Sequence, residues 1–144
     1  MRVKECMCSN VIKVEPDEKI SQVANLMKEN DIGCIPVCDK ENKVVGFITD
    51  RDIVIRCVAN NENCSNTKVS EVMQKHIIKT TADTDIDEAT RVMKENQIRR
   101  LPVIDNGKIV GVLSIGDLAR CDEISTKEVG EAVECVCEKD CECE

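Results

Sequence analysis

One seven-residue pattern occurs twice in the chain and constrains it more than any other feature. Gly46-Phe47-Ile48-Thr49-Asp50-Arg51-Asp52 and Gly111-Val112-Leu113-Ser114-Ile115-Gly116-Asp117 each set a glycine, two apolar residues, a hydroxyl residue, two variable residues and an aspartate in the same order. An apolar run precedes each copy (Val44-Val45, Ile109-Val110), and a short apolar-periodic segment follows it (Ile53-Val54, Leu118-Ala119). This is the pattern of a strand that ends where a helix begins. A helix start offers unpaired N–H groups and the positive end of the helix dipole, which suit a phosphate. Thr49 or Ser114 can add a hydroxyl to that phosphate, and Asp52 or Asp117 can accept from ribose hydroxyls. The same residue types also serve as plain helix caps, and one copy alone does not separate the two uses.

The duplication extends well beyond the motif. In one register Val3, Glu5 and Met7 match Val69, Glu71 and Met73; Met27-Lys28-Glu29-Asn30 matches Met93-Lys94-Glu95-Asn96; Ile32 matches Ile98; and Pro36-Val37 matches Pro102-Val103. Both halves then read alike. A short lead-in helix (Val3 to Met7, Val69 to Met73) precedes an extended segment (Asn10 to Val14, His76 to Thr80). A helix follows, with Ile20, Val23, Ala24 and Met27, or Ile86, Ala89 and Met93, on its apolar face. Asp85 with Glu88 resembles a capping box, and the helices end near Asn30 and Asn96. Strands Ile35–Cys38 and Leu101–Ile104 come next, then hairpin turns at Asp39–Asn42 and at Asp105-Asn106-Gly107. The second hairpin strand runs into the motif, and a second helix closes each half. Pro36 and Pro102 lack an N–H and are expected at a strand start or edge. Residues Asn60 to Thr67 form a polar linker. The expected layout is 1–62 for the first repeat, 63–122 for the second and 123–144 for an acidic, Cys-rich tail.

A half of about 60 residues buries too little surface to be comfortable alone, so the halves are expected to pack together. The net charge is −8, and residues 121–144 carry nine acids against two lysines. The remaining body is therefore near neutral and has no broad basic footprint for a nucleic acid polymer. Phe47 is the single aromatic residue, which also argues against base-stacking platforms. No apolar run approaches a membrane span and no signal-type leader is visible, so the expectation is a cytoplasmic protein without membrane association.

Eleven cysteines are many for this length, and in the cytosol they stay reduced. Cys6 aligns with Val72 and Cys38 with Ile104, so both read as small core residues. Cys34, Cys57, Cys64 and Cys121 have no matched partner and receive no role. Cys135, Cys137, Cys141 and Cys143 offer four thiolates to zinc or a soft metal, although their C-x-C spacing departs from the usual C-x2-C. A solvated acidic tail is the alternative. His76, the one histidine, reads as a surface residue at a strand entry. No Ser/His/Asp, Cys/His or paired-carboxylate constellation accompanies the motifs, so the reading is of a non-enzyme.

A repeat with Ile/Leu-Pro-Val, a hairpin, Gly-x-x-Thr/Ser-x-x-Asp and a closing helix resembles the cystathionine β-synthase (CBS) domain. Two in tandem, over about residues 3–121, resemble a Bateman module. The resemblance implies an α/β (α+β) fold of two β-α-β-β-α repeats packed as a pseudo-twofold pair. It implies clefts between the repeats that bind adenosine nucleotides or related adenosyl compounds, and a regulatory role toward a partner. Carried onto this chain, Asp52 and Asp117 would bind ribose, and Thr49 and Ser114 phosphate. Val11, Ile12, Ile35 and Pro36, with Ile77, Ile78, Leu101 and Pro102, would hold the base. Arg51 at one motif, and Arg99 and Arg100 beside the other, are placed for phosphate. No cofactor is required beyond the adenine nucleotide as ligand. Two modules commonly pair, so a homodimer is expected, with Ile53–Val58 and Ile115–Ala119 near the interface. Two other readings remain: a metal-binding or redox protein working through its tail, and a ligand-free dimerisation scaffold.

Overall fold

The structure, a computed structural model, describes residues 1–142, with side chains as far as Cys137. Its helices and two short antiparallel sheets make a mixed α+β fold, built twice. A 3-10 turn at Val3–Glu5 leads into α1 (Ile20–Asn30), β1 (Cys34–Cys38), β2 (Val44–Thr49) and α2 (Asp50–Ile53), which continues as a π-helical turn, Val54–Val58. After α3 (Val69–Val72) the pattern repeats as α4 (Ile86–Asn96), β3 (Arg100–Asp105), β4 (Lys108–Ser114) and α5 (Ile115–Ala119), and α6 (Thr126–Glu142) follows.

The chain divides into two compact units that cut across its sequence halves. One unit joins Met1–Val11 to Ile78–Glu144, and the other is Ile12–Ile77. The lead-in turn of the first repeat therefore belongs to the second, and α3 belongs to the first. Backbone pairing shows why. In unit 12–77, β2 pairs with β1 on one side, and Phe47 exchanges two hydrogen bonds with Gln74 on the other (2.9 and 2.7 Å). In the other unit, Val112 of β4 does the same with Cys8 (2.9 and 3.0 Å). Close approach at these edges requires glycine. A Cβ on Gly46 would lie 2.7 Å from the Gln74 carbonyl oxygen, and one on Gly111 2.9 Å from that of Cys8.

The extended segments form no full strand. Val14 alone bridges β1 in parallel, and Thr80 alone bridges β3. Proline sets this limit. Val14 donates to the Pro36 carbonyl (3.1 Å) and accepts from Cys38 (2.8 Å), and Thr80 pairs with Pro102 and Ile104 in the same way (3.0 and 2.8 Å). One step further, a parallel ladder needs the residue-36 N–H to donate to the Ile12 carbonyl, or the residue-102 N–H to that of Ile78. Proline has no N–H, so the ladder stops and those carbonyls go unclaimed by the strand. The prolines thus sit within paired strands, where they end the pairing on one side.

Each unit has its own apolar core. Ile20, Val23 and Met27 of α1 pack with Ile35, Val37, Ile48, Ile53 and Val69. Ile86, Ala89 and Met93 of α4 pack with Val3, Leu101, Val103, Leu113 and Leu118. Both central helices end on a left-handed residue, Asp31 (φ 51°) and Gln97 (φ 53°), one past the asparagine where the apolar period stops.

The acidic C-terminal segment is helical as far as Glu142, which corrects the picture of a solvated tail. Ser125 and Glu128 form a reciprocal capping box, each N–H donating to the other's side chain (3.1 and 3.2 Å). Ala132 and Val136 are buried, and α6 packs against α4 and α5. The stripe Val129, Ala132, Val136 carries this packing, while Glu128, Glu131 and Glu134 are exposed.

Candidate nucleotide-binding motifs

Both copies of the motif place the hydroxyl residue at the end of a strand and the aspartate in the first turn of a helix. Thr49 Oγ1 accepts from the Asp52 N–H (3.1 Å), and Asp52 Oδ2 accepts from the Thr49 N–H (3.0 Å). Ser114 and Asp117 repeat the arrangement at 3.1 and 2.8 Å. These are complete capping boxes, so the capping role is present in both repeats. It uses one acceptor site on one oxygen of each carboxylate, and an ionised carboxylate has about four such sites.

The two aspartates differ in what else they meet. Asp52 Oδ1 accepts from Gln74 Nε2 (3.0 Å) and lies 3.9 Å from Arg56 Nε. Asp117 Oδ1 instead pairs with the Arg120 guanidinium. Reading the sequence missed Gln74, Arg56 and Arg120. The arginines stand four and three residues beyond their aspartates, a spacing that brings side chains together on a helix. Gln74 stands where the other repeat has Cys8, and only the edge pairing reveals its reach.

The loop before each first strand is tied to the helix start. The Asp50 N–H donates to the Gly33 carbonyl (2.9 Å), and the Ile115 N–H to that of Arg99 (3.0 Å). Arg99 and Arg100 are thereby held beside the Ser114–Asp117 turn, while exposed Arg51 belongs to the Thr49–Asp52 turn itself. Pro36 and Pro102 are buried next to the unclaimed Ile12 and Ile78 carbonyls, and Val11, Ile12, Ile77 and Ile78 are partly exposed. Ile35 and Leu101 are placed differently from expectation. Both are wholly buried within the cores, so their side chains support the strands and do not form a wall for a base.

The cysteines divide by environment. Cys38 is buried, and burial raises its thiol pKa. Cys6 is partly buried and donates to the Asp117 carbonyl (3.3 Å); burial and the neighbouring Cys121 thiol push it up to about 12. Cys135 is half-buried, its carbonyl accepting from Gln97 (3.1 Å), while Cys137 is exposed. Two residues apart on a helix of 3.6 residues per turn, these two point in widely different directions. The Cys141 side chain and Cys143 lie outside the described residues. Among the described residues no cluster of three or more His, Cys, Asp or Glu is placed to hold a metal. Among them, too, no helix is long and apolar enough to cross a membrane.

The CBS-domain model matches residues 3–58 and 69–123. The chain belongs to the CBS-domain family. Among curated relatives, the CBS domain-containing protein YhcV of Bacillus subtilis is 36% identical over 131 residues, covering 91% of each chain. The crystal structure of Hypoxic Response Protein I with two coordinated zinc ions superposes with a TM-score of 0.75 at 33% identity, over 83% of this chain and 98% of that one. CBSX2 in complex with AMP superposes at 0.73 with 25% identity, over 83% of this chain and 93% of that one. Each copy of the duplicated motif thus lies within one of two CBS domains.

Proposed function

We propose that this CBS pair is a ligand-sensing module, not an enzyme. It binds an adenosine-type nucleotide at its Thr49–Asp52 and Ser114–Asp117 motifs and passes the ligand state to a regulated partner. The observation that carries this reading is the pairing, in both units, of a capped aspartate having spare acceptor sites with a proline-terminated ladder. Asp52 and Asp117 supply acceptors for ribose hydroxyls. Thr49 and Ser114 with their helix starts, and Arg51, Arg99 and Arg100, supply phosphate contacts. The Ile12 and Ile78 carbonyls, beside Val11, Pro36, Ile77 and Pro102, supply one acceptor and an aliphatic surface for an adenine edge. The AMP bound to CBSX2 supports the choice of ligand class. The module works as a homodimer in this reading, because Val54, Ile55 and Val58 are 57%, 48% and 56% exposed on one helical turn and a second copy would cover them.

The composition makes the test direct. With no Trp and no Tyr, the protein absorbs little in the near ultraviolet. Protein incubated with AMP, ATP, NADH or S-adenosylmethionine and then gel-filtered should carry an adenine band. A ligand at 100 times its Kd should add about 2.7 kcal/mol of stability and raise Tm, with guanine nucleotides doing less. Each charge-assisted hydrogen bond to a carboxylate is worth about 1.5–3 kcal/mol, so Asp→Ala at an occupied motif should weaken binding tenfold or more. Absence of a band and of any thermal shift with all four ligands overturns the reading.

A further inference from the structure

Cys57 and Cys64 have no thiol counterparts in the second repeat, yet the fold brings them together. Cys57 is wholly buried in the π-helical turn after α2, and Cys64 is partly buried in the loop leading to α3. Their Sγ atoms are 3.1 Å apart. The intervening loop is held at several points. The Glu62 N–H donates to the Cys57 carbonyl (3.0 Å), the Asn61 N–H to that of Val58 (3.1 Å), and the Thr67 N–H to that of Asn63 (2.9 Å). The Cys64 carbonyl in turn accepts from the Ser21 N–H at the start of α1 (3.0 Å). The two sulfurs therefore meet through a fixed backbone, and closing to a covalent separation requires a movement of about 1 Å. Neither thiol belongs to a cluster of three or more metal-ligating groups among the described residues, so a tetrahedral zinc site is not the chemistry on offer.

We propose that Cys57 and Cys64 form a reversible dithiol–disulfide site that responds to small hydroperoxides. Cys64, the more exposed, attacks one peroxide oxygen; the O–O bond breaks, a sulfenic acid forms and one water leaves. The Cys57 sulfur then attacks the sulfenic sulfur, the S–S bond forms and a second water leaves. Two thiols lose two hydrogens and two electrons, and hydrogen peroxide is reduced to two waters. Burial, together with the Cys64 thiol beside it, keeps the Cys57 pKa above its ordinary value, which suits the resolving partner and not the first attacker. The bridge joins the turn that carries Val54, Ile55 and Val58 to the residue that receives the first turn of α1, so oxidation stiffens the exposed apolar corner of this unit.

Trypsin cuts after Arg56 and Lys68, so one peptide, Cys57–Lys68, carries both thiols. The reduced full-length protein, freed of metal with a chelator, is treated with hydrogen peroxide, alkylated and digested. The expected peptide takes up no alkyl label, is lighter by two hydrogen atoms than the reduced form, and regains both labels after dithiothreitol. Peroxide should also raise Tm by several degrees in the wild type and leave it unchanged in Cys64→Ser. Full labelling of both cysteines after peroxide, bridging of either to another cysteine, or an equal Tm rise in Cys64→Ser each overturns the proposal.

Discussion

The two units share a backbone plan and differ at the same two places. At the motif, the Asp52 side chain is 7% exposed and tied to Gln74, with Arg56 nearby, while that of Asp117 is 11% exposed and, among the described residues, tied to its own turn through Ser114 and Arg120. Beyond the motif, the unit of residues 12–77 leaves Val54, Ile55 and Val58 bare, whereas α6 lies against α4 and α5 in the other. The capping box is common to both because the strand-to-helix turn depends on it. What surrounds the box has diverged, because those contacts come from segments outside the motif.

The largest expected effect tests whether the cores are equivalent. Ile48 and Leu113 occupy matching positions and are both fully buried. Ile48→Ala and Leu113→Ala should each cost about 2–5 kcal/mol in urea unfolding. A loss below about 1 kcal/mol in either would break the equivalence.

The covered and bare faces give the next contrast. Val136→Asp buries a carboxylate beneath α6 and should cost roughly 2–4 kcal/mol. Val54→Asp should change the stability of the fold by no more than about 0.5 kcal/mol, but shift sedimentation toward monomer. Equal thermal losses in the two variants would mean that the bare face is already covered.

Third come the aspartates themselves. Asp52→Ala leaves the partly buried Thr49 N–H without its partner and removes the Gln74 hydrogen bond, and should cost about 1–3 kcal/mol. Asp117→Ala leaves one N–H without a partner and a solvent-exposed arginine, and should cost about 1 kcal/mol. The reverse order, read by thermal unfolding without ligand, would show that Gln74 contributes nothing.

The smallest effect concerns the lead-in turn. Lys4, at 2.9 Å, and Arg2 hold Asp83 below its ordinary carboxyl pKa of 3.8. In the other unit the matching Asp17 is paired, among the described residues, with Lys68 alone, at 3.7 Å. A lowered folded-state pKa gives stabilisation that is present above the unfolded value and is lost as pH falls through the folded one. Residues 2–5 should therefore loosen at acid pH below 3.8, seen as faster amide exchange, and Asp83→Asn should remove that pH dependence.

Much of this was legible in the chain. The repeat register, both hairpins, the apolar faces of α1 and α4 and the capping role of both motifs follow from spacing and residue type, whereas the capping box expected of Asp85 with Glu88 does not form, since Asp85 accepts from the Asp87 N–H instead (2.9 Å). Three things did not. The exchange of lead-in segments depends on Gly46 and Gly111 meeting a backbone edge far away in sequence. Gln74 reaches Asp52 only through that same edge. Ser125-x-x-Glu128 with Val129, Ala132 and Val136 does spell out a helix start and an apolar stripe, but the dense acids around them fit a solvated segment equally well.

The exchanged segments have a mechanical and a vectorial consequence. Unit 12–77 is inserted within a unit made of both chain ends. During synthesis the inserted unit can close as soon as residue 77 is available, while residues 1–11 wait for β4. Tension applied between the termini enters the discontinuous unit first, and the inserted one bears load only after its host has opened.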